Sequence, residues 1–372
     1  MSHPPDKPYF LAFGRVRGVG PVRLRLLLSF FGSLSEAWRA GEFELIAAGL
    51  DHKSIGALMA ARAEIDPQAE QARLDQSGIQ AVTWIDADYP RLLSEIADPP
   101  PVLYVRGSLT DSDAWAVAIV GTRRATVYGR EVSEMLAADL ARNQITVVSG
   151  LARGIDAAAH QAALKAGGRT IAVLGSGVDV IYPAEHRRLA QQIMEQGALV
   201  SDYPPGTQPE AGNFPPRNRI ISGLSLGTVV VEADEQSGAL ITAEFAAEQG
   251  RDVFAVPGNI FNRSSRGANR LIQKGAKMVL VADDVLEELN LNMVAQRVEV
   301  QAVVPDNETE RLLLSRLTHE PVLADELVRE LDLPAEVVTS TLALMELKGL
   351  VLQAGGASYV LAREGRVPYK VD

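Results

Sequence analysis

The chain has 372 residues, of which 47% are apolar and 22% charged, a composition typical of a soluble globular protein with two or three domains. It has no cysteine, which excludes a disulfide framework, a thiolate metal site and a cysteine nucleophile. No apolar run approaches the roughly 20 residues of a membrane helix, and no secretory signal is evident, so we expect a cytoplasmic protein without membrane contact. The formal net charge of −11 argues mildly against a nucleic-acid partner. Arginines nevertheless cluster in the central loops, and an acidic protein can carry a basic groove.

Residues 1–75 are predicted to form a small helical domain. Leu24, Leu27, Leu28 and Phe31 fall on one helical stripe. The preceding residues, 17–21, read Arg-Gly-Val-Gly-Pro and resemble the hairpin of a helix-hairpin-helix DNA-binding module. The same pattern is also typical of an ordinary turn with proline in the first helical position, so both interpretations stay open.

Residues 76–111 are predicted to form a bridging segment. Two short strand-like runs at 81–84 and 102–105 flank Asp98-Pro99-Pro100-Pro101, which must be extended.

From residue 112 to 290 short apolar runs alternate with helical patterns. Strands are predicted at 116–120, 145–148, 170–174, 228–231, 253–256 and 278–281. Helices are predicted near 128–142, 154–166, 185–196, 239–249 and 267–275. Near-continuous apolar strands separated by helices indicate a parallel sheet covered on both faces, which is a central doubly wound α/β domain.

The C-terminal region is predicted to hold a linker over 291–306 and a winged helix over 307–365. Three short helices (308–317, 322–331 and 334–348) precede two strands joined at Gly355-Gly356. The third helix carries Glu336 and Glu346 and a single basic residue, Lys348. Because a helix that reads duplex DNA needs basic or amide side chains, we expect a protein-contact or structural module.

Ligands of doubly wound sheets bind at the carboxyl ends of the strands, so the loops there hold the candidate site. The loop after the first predicted strand offers glycines for close backbone approach, hydroxyls and two arginine forks suited to phosphate. Its candidate residues are Gly121, Thr122, Arg123, Arg124, Thr126, Tyr128 and Gly129. It lacks the GxGxxG dinucleotide pattern. A solvated arginine pair beside a turn is the alternative.

Phe214 stands out because it lies between Asn213 and two prolines, where we predict a loop rather than a helix. With Arg217 and Arg219 close by, it predicts a stacking platform beside a phosphate grip, the pairing that single-strand binders use. The alternative is a hydrophobe that anchors its loop.

Further candidates come from the remaining strand-end loops, which are rich in small residues and arginines. They are Ser149, Gly150, Arg153, Gly175, Ser176, Gly177, Asn218, Ser237, Gly238, Arg263 and Asn269. Asp156 and His160 are four apart and predict a local helix pair, and His186 is interpreted as structural.

The pattern does not predict bond-breaking chemistry. Glu232, Asp234 and Glu235 form the one tight acidic group at a strand end, and no second carboxylate motif joins them. The sequence has neither GxxxxGK[ST] nor HExxH. We therefore expect no catalytic residue, no metal and no cofactor, and a surface that holds a polyanion.

These loops, in this order, resemble the DNA-processing protein A family (DprA, also called Smf). The matching stretches are 121–129, 149–156, 174–179, 213–225, 237–246 and 256–259. The resemblance implies a Rossmann-like, non-catalytic protein that binds and protects incoming single-stranded DNA and loads the RecA recombinase during natural transformation. It also implies a homodimer through the central domain. Carried over, Arg123 holds phosphate, Gly150 supplies backbone amides, and Phe214 with Arg217 grips base and backbone.

The sequence departs from the family pattern at several positions. Thr122 and Thr126 stand where serines are expected, Leu151 where glycine is common, and Pro216 where a basic residue is common. Two other functions stay open. One is a nucleotide-binding enzyme of the phosphoribohydrolase-like type, faintly echoed around Glu232. The other is a transcription regulator acting through the winged helix.

Overall fold

The computed structural model describes residues 6–291, 308–317, 322–331, 333–347, 351–353 and 358–361. The chain divides after Leu291 into two compact units. No helix among these described residues is long and apolar enough to cross a bilayer.

Six helices precede the sheet in the first unit. They are α1 (Lys7–Gly14), α2 (Pro21–Phe31), α3 (Leu34–Arg39), α4 (Glu42–Ala47), α5 (His52–Glu64) and α6 (Pro67–Ser77). The predicted stripe on α2 is inward, with Leu24 and Leu27 buried and Leu28 and Phe31 packed against the same core. Between α1 and α2, Gly18 takes the left-handed φ of 88°, which glycine adopts without steric cost. The helices therefore bury one continuous core, which extends onto the sheet through Ala81 and Tyr104.

The sheet has nine strands. They are β1 (Gln80–Thr83), β2 (Val102–Gly107), β3 (Ala116–Val120), β4 (Thr146–Ser149), β5 (Thr170–Val173), β6 (Ala198–Ser201), β7 (Gly227–Val230), β8 (Asp252–Ala255) and β9 (Lys277–Met278). Their order is β1-β2-β6-β5-β4-β3-β7-β8-β9. The seven strands β3 to β9 run parallel to one another, while β2 is antiparallel to both β6 and β1. The segment interpreted as a bridge thus supplies two strands to the central sheet.

Helices cover both faces of the parallel part. A short helix, α7 (Arg91–Ser94), lies between β1 and β2. The crossover helices are α8 (Val127–Arg142), α9 (Ile155–Lys165), α10 (Arg187–Gln196), α11 (Phe214–Gly223), α12 (Gly238–Glu248) and α13 (Arg266–Gln273), and α14 (Ala282–Glu288) follows the last strand. Alternate residues of β5 face opposite layers: Ala172 packs with α10, and Ile171 and Val173 pack with α11. This arrangement confirms the predicted doubly wound α/β class.

The sheet has a switch point between β3 and β7. From β3 the chain proceeds through β4 and β5 to β6 on one side, then crosses to β7, β8 and β9 on the other. Two loops that leave in opposite directions open a crevice at the carboxyl ends of these strands. The loops after β3 and β7 therefore border the expected ligand position.

Several elements of the first unit differ from the sequence prediction. Strand β6 and helices α7, α11 and α14 were not predicted, and the strand predicted at 278–281 is the shorter β9. The β9 strand stops because the Asp284 carboxylate accepts hydrogen bonds from the backbone N–H groups of Leu280 and Val281, which caps α14. In α11 the two prolines occupy the first helical turn, where the missing N–H groups would have no partner anyway.

The second unit is a winged helix. It comprises α15 (Glu308–Arg316), β10 (Val322–Leu323), α16 (Ala324–Leu331), α17 (Ala335–Leu347), β11 (Val351–Gln353) and β12 (Ser358–Leu361). The strands pair antiparallel in the order β10-β12-β11. Its core joins Leu313, Leu327 and Leu342 to Val351 and Tyr359. The predicted linker from 292 on, Lys348 and the Gly355-Gly356 turn lie outside the described residues.

Candidate functional site

A cleft of about 600 Å³ opens at the switch point. The loop after β3, the segment after β7 and the first turns of α11 and α12 line it. A volume of this size is in the range of small-ligand sites. Of the predicted site residues, the cleft brings together Gly121, Thr122, Arg123, Arg124, Phe214, Arg217, Asn218, Ser237 and Gly238.

The loop after β3 presents two arginines to solvent. Arg123 and Arg124 are both exposed, and neither forms an ion pair within the described part of the chain. The loop beneath them is fixed: the Thr122 N–H donates to the Glu232 carbonyl at 2.7 Å, and the Thr126 hydroxyl caps α8 by accepting from the Gly129 N–H at 3.0 Å. Two unpaired guanidinium groups on an ordered loop form a ready anion contact.

Phe214 is the first residue of α11, so its predicted loop position was wrong. Its half-buried ring covers Gly175, where an added Cβ would lie 2.9 Å from the ring. The Tyr182 ring lies 5.7 Å away between centroids, and the Arg123 guanidinium carbon lies 5.4 Å from the Phe214 centroid. An aromatic face beside an exposed guanidinium can stack a base while the arginine binds its phosphate.

Arg217 lies below the cleft surface, only 4% exposed. Its Nη1 donates to the carbonyls of Gly150, at 3.0 Å, and Val173, and its guanidinium lies 5.9 Å from the Phe214 ring. Burial lowers the pKa of Arg217 to about 10, so the group stays charged at neutral pH. These contacts tie the base of α11 to the ends of β4 and β5 and hold the Phe214 ring in place.

Asp156 and His160 each bond elsewhere. The Asp156 carboxylate accepts from the N–H groups of Gly150, at 3.1 Å, and Ala152, at 3.2 Å. Burial raises the pKa of Asp156, and the Arg217 charge acts in the opposite direction. His160 Nδ1 lies 2.6 Å from the Thr170 hydroxyl oxygen, and burial lowers the pKa of His160 to about 3. Asp156 therefore braces the loop after β4, whereas His160 bonds the first residue of β5.

The other predicted arginines all pair with carboxylates, but they differ in how far they are exposed. Arg219 has an 11% exposed side chain and donates to Asp202 at 3.0 Å and to the Asp98 carbonyl at 3.0 Å. Arg153 binds Glu185 through two hydrogen bonds of 2.5 and 2.8 Å. Arg263 is well exposed, with its Nε 3.8 Å from Asp234. Arg219 is thus a structural clamp, whereas Arg153 and Arg263 stay accessible but paired.

The predicted small residues at the ends of β4 and β5 are buried and do not line the cleft. The Ser149 hydroxyl donates to the Ile119 carbonyl at 2.6 Å, and the Ser176 hydroxyl donates to the Val180 carbonyl at 2.7 Å. Gly175 and Gly177 are also buried. Leu151, at the position where the family pattern favours glycine, has a left-handed φ of 58° and a fully buried side chain. A leucine in that conformation marks a loop over-determined by its surroundings.

Glu232 connects two of the loops. Glu232 is 2% exposed, and its carboxylate accepts from the Thr126 N–H at 2.9 Å, the Thr126 hydroxyl at 2.7 Å and the Ser264 hydroxyl at 3.3 Å. Gly129 makes room for it, since an added Cβ there would lie 2.2 Å from the carboxylate. Glu232 therefore has a positioning role, which no sequence motif signalled.

The remaining predicted residues form hydrogen bonds within and beside the cleft. The Tyr128 hydroxyl donates to the Pro257 carbonyl at 2.9 Å, and Asn269 exchanges two hydrogen bonds with Gly258. Ser237 caps α12, and Asn218 donates to the Gly238 carbonyl at 3.2 Å. Throughout the described ranges, no group of three potential metal ligands comes together.

The fold and the cleft define a doubly wound α/β protein with a cationic aromatic cleft and a C-terminal winged helix. The model of DNA recombination-mediator protein A matches residues 80–290, and the model of the DprA winged helix domain matches residues 299–357. The chain belongs to the DNA-processing protein A (DprA/Smf) family.

Relatives and solved structures agree with this assignment. Protein Smf of Synechocystis is 37% identical over 395 residues, covering 95% of this chain and 98% of the relative. The X-ray structure of DNA processing protein A from Streptococcus pneumoniae is 38% identical, covers 76% of this chain and 98% of its own, and superposes with a TM-score of 0.66. The Helicobacter pylori protein, whose structure addresses its single-stranded DNA binding mode, is 32% identical, covers 56% of this chain and 95% of its own, and has a TM-score of 0.51.

Proposed function

We propose that this chain binds single-stranded DNA at the switch-point cleft and does not cleave it. The observation that carries the proposal is the pair formed by the exposed Arg123 guanidinium and the Phe214 ring, 5.4 Å apart at the carboxyl ends of the strands. Stacking on an aromatic ring is sequence-tolerant, and an adjacent arginine adds backbone affinity. A helical duplex keeps its bases stacked, so the same pair selects single strands.

Three roles follow for the residues of the cleft. Arg123 and Arg124 bind phosphates, the Phe214 ring stacks a base, and Arg217 positions that ring from below. Arg219 and Glu232 hold the surrounding loops. The residues that contact DNA thus lie at the surface of the cleft, and the residues that position them are buried below it.

The proposal that the protein is not catalytic rests on the burial and the hydrogen bonds of Glu232. Glu232, the residue that a phosphoribohydrolase-like mechanism would need, is buried and bonded to Thr126 and Ser264. Its carboxylate holds the protein's own loops rather than facing the cleft. We expect no release of base or phosphate from nucleoside monophosphates.

We further propose that the bound strand is protected and handed to the RecA recombinase during natural transformation, in the cytoplasm, by a homodimer formed through the central domain. Support comes from the family, whose model is described as a DNA recombination-mediator protein. The acidic third helix of the winged helix, with Glu336 in its first turn, favours a protein contact over duplex reading.

The test is binding of a fluorescent oligothymidine in the presence of unlabelled duplex competitor, with a parallel assay for nucleotide hydrolysis. We expect binding that excess duplex does not displace and no hydrolysis product. Displacement by equimolar duplex, or turnover of a nucleoside monophosphate, would replace this function with duplex binding or with the enzyme. RecA filament formation on oligothymidine coated with a single-strand binder then tests the loading step.

A further inference from the structure

A second cavity lies where the helical domain meets the sheet. Its volume is about 370 Å³, and it is lined by α1, α6, β2 and the loop after β6. Leu11 and Leu74 form an apolar side, and Arg15, Arg73 and Arg106 form a cationic side. Its size and mixed lining suit a nucleotide, which pairs an apolar base with an anionic phosphate.

A buried tyrosine gives this cavity a polar group without a partner. Tyr104 is 2% exposed and lines the cavity, and across the described ranges its hydroxyl has no hydrogen-bond partner. Burial raises the pKa of Tyr104, so the hydroxyl keeps its proton and can donate. Because Tyr104 lines the cavity, its hydroxyl can donate to a ligand oxygen bound there.

The charges around the cavity favour an anion. Glu70 accepts from both Arg15, at 2.6 Å, and Arg73, and the Asp179 carboxylate accepts from the Gly206 N–H at 2.9 Å. Both carboxylates are therefore engaged. Arg106 makes no ion pair or hydrogen bond with any described residue and is left to meet a ligand.

The cavity adjoins the switch-point cleft through the loop after β5. Gly175 lies under the Phe214 ring, and four residues later Asp179 lines the cavity. Four residues of extended chain span at most roughly 14 Å. Tyr104 pairs with Ser201, the last residue of β6, which places the tyrosine near the same carboxyl edge as the cleft.

We propose that this cavity binds a second segment of the same single strand, with a phosphate oxygen on the Tyr104 hydroxyl and Arg106 and a base against the apolar wall. The inference rests on the proposed function. It makes the helical domain part of the DNA site and extends the bound strand beyond the nucleotides that Phe214 and Arg123 hold.

The test compares the full chain with Tyr104→Phe, Arg106→Gln and Phe214→Ala, using labelled (dT)4 and (dT)20. Arg142→Gln is the matched control, because Arg142 is an exposed arginine at the C-terminal end of α8, away from the carboxyl edge. We expect Tyr104→Phe and Arg106→Gln each to weaken (dT)20 binding about tenfold, the effect of one hydrogen bond to a charged group, without changing (dT)4 binding. The control should bind both oligonucleotides like wild type.

The outcomes separate the two proposals. Wild-type affinity for (dT)20 in Tyr104→Phe and Arg106→Gln, with weakened binding in Phe214→Ala, would overturn the second segment and leave the cleft standing. No loss in Phe214→Ala would overturn the cleft. Binding of free thymidine monophosphate that is lost in Tyr104→Phe and kept in Phe214→Ala would make the cavity a separate nucleotide site, contrary to the inference. Thermal unfolding of each variant confirms that the fold is retained.

Discussion

Two pairs of arginines near the carboxyl edge differ in almost every physical respect. Arg123 and Arg124 are exposed, whereas Arg217 and Arg219 are largely buried and bonded to protein oxygens. The first pair is available to a ligand, whereas the N–H groups of the second pair already donate to oxygen atoms of the protein. An arginine-rich loop therefore carries two functions, contact and support, and only the contacts of the folded chain distinguish them.

The largest effect should come from the buried pair. Arg217→Met leaves the carbonyls of Gly150 and Val173 without their donor and Asp156 without its nearby positive charge. Removing one partner of a buried polar network costs about 3 kcal/mol of unfolding free energy. Urea unfolding measures this change, with Arg124→Met as the exposed control. Equal stability of the two variants would contradict the division into supporting and contacting arginines.

Phe214→Ala should have the second largest effect, this time on DNA binding. Loss of one base-stacking ring costs about 2 kcal/mol of binding free energy, or roughly 30-fold in the dissociation constant. Equilibrium titration of labelled oligothymidine measures it. Phe261→Ala is a suitable control, since Phe261 is 85% exposed and does not line the cleft. A similar loss of affinity in both variants would mean that removing any exposed phenylalanine weakens binding, and would contradict a stacking role for Phe214.

The supporting region also predicts a pH dependence. Burial lowers the pKa of His160 from 6.5 to about 3. Between these two pH values the unfolded chain therefore binds a proton at His160 that the folded chain does not bind. The associated stability is present above pH 6.5 and is lost as the pH falls towards 3. At pH 5 the loss is about 2 kcal/mol. His160→Gln should flatten the unfolding free energy between pH 7 and pH 5 by that amount, and an unchanged slope would contradict a buried neutral histidine.

A smaller effect concerns the loop that carries Arg123. Thr126→Ala removes the cap of α8 and a hydrogen bond to Glu232, at a cost of about 1 kcal/mol of unfolding free energy. Thr126→Ser keeps the hydroxyl and should retain wild-type stability in the same urea titration. If the free energy of unfolding falls as much in the serine variant as in the alanine variant, the methyl group rather than the cap stabilises the loop.

Most strands of the parallel sheet and the position of the cleft could be predicted from the sequence. Apolar runs and turn residues predicted β3, β4, β5, β7 and β8, since burial on both faces leaves a local signal. The cleft position followed from the strand ends. The two prolines of α11 favoured a loop, because their place within the first helical turn depends on where the helix begins.

The depth of each arginine could not be predicted from local sequence. Arg217 is buried by the carbonyls of Gly150 and Val173, which lie 67 and 44 positions away along the chain. Glu232 likewise bonds Thr126 across 106 positions. Such long-range partners are set by the sheet order, and no motif at Arg217 or Glu232 encodes them.

A salt titration of oligothymidine binding, followed by fluorescence anisotropy, tests the DNA site most directly when wild type, Arg123→Ala and the control Arg142→Ala are compared. Wild type and the control should bind tightly and with a strong dependence on salt. Arg123→Ala should lose affinity clearly, and its slope of log K against log salt should be smaller by about 0.7, the value for one phosphate contact on a single strand. Absence of binding at low salt, or identical curves for Arg123→Ala and wild type, would contradict a DNA site at the switch-point cleft.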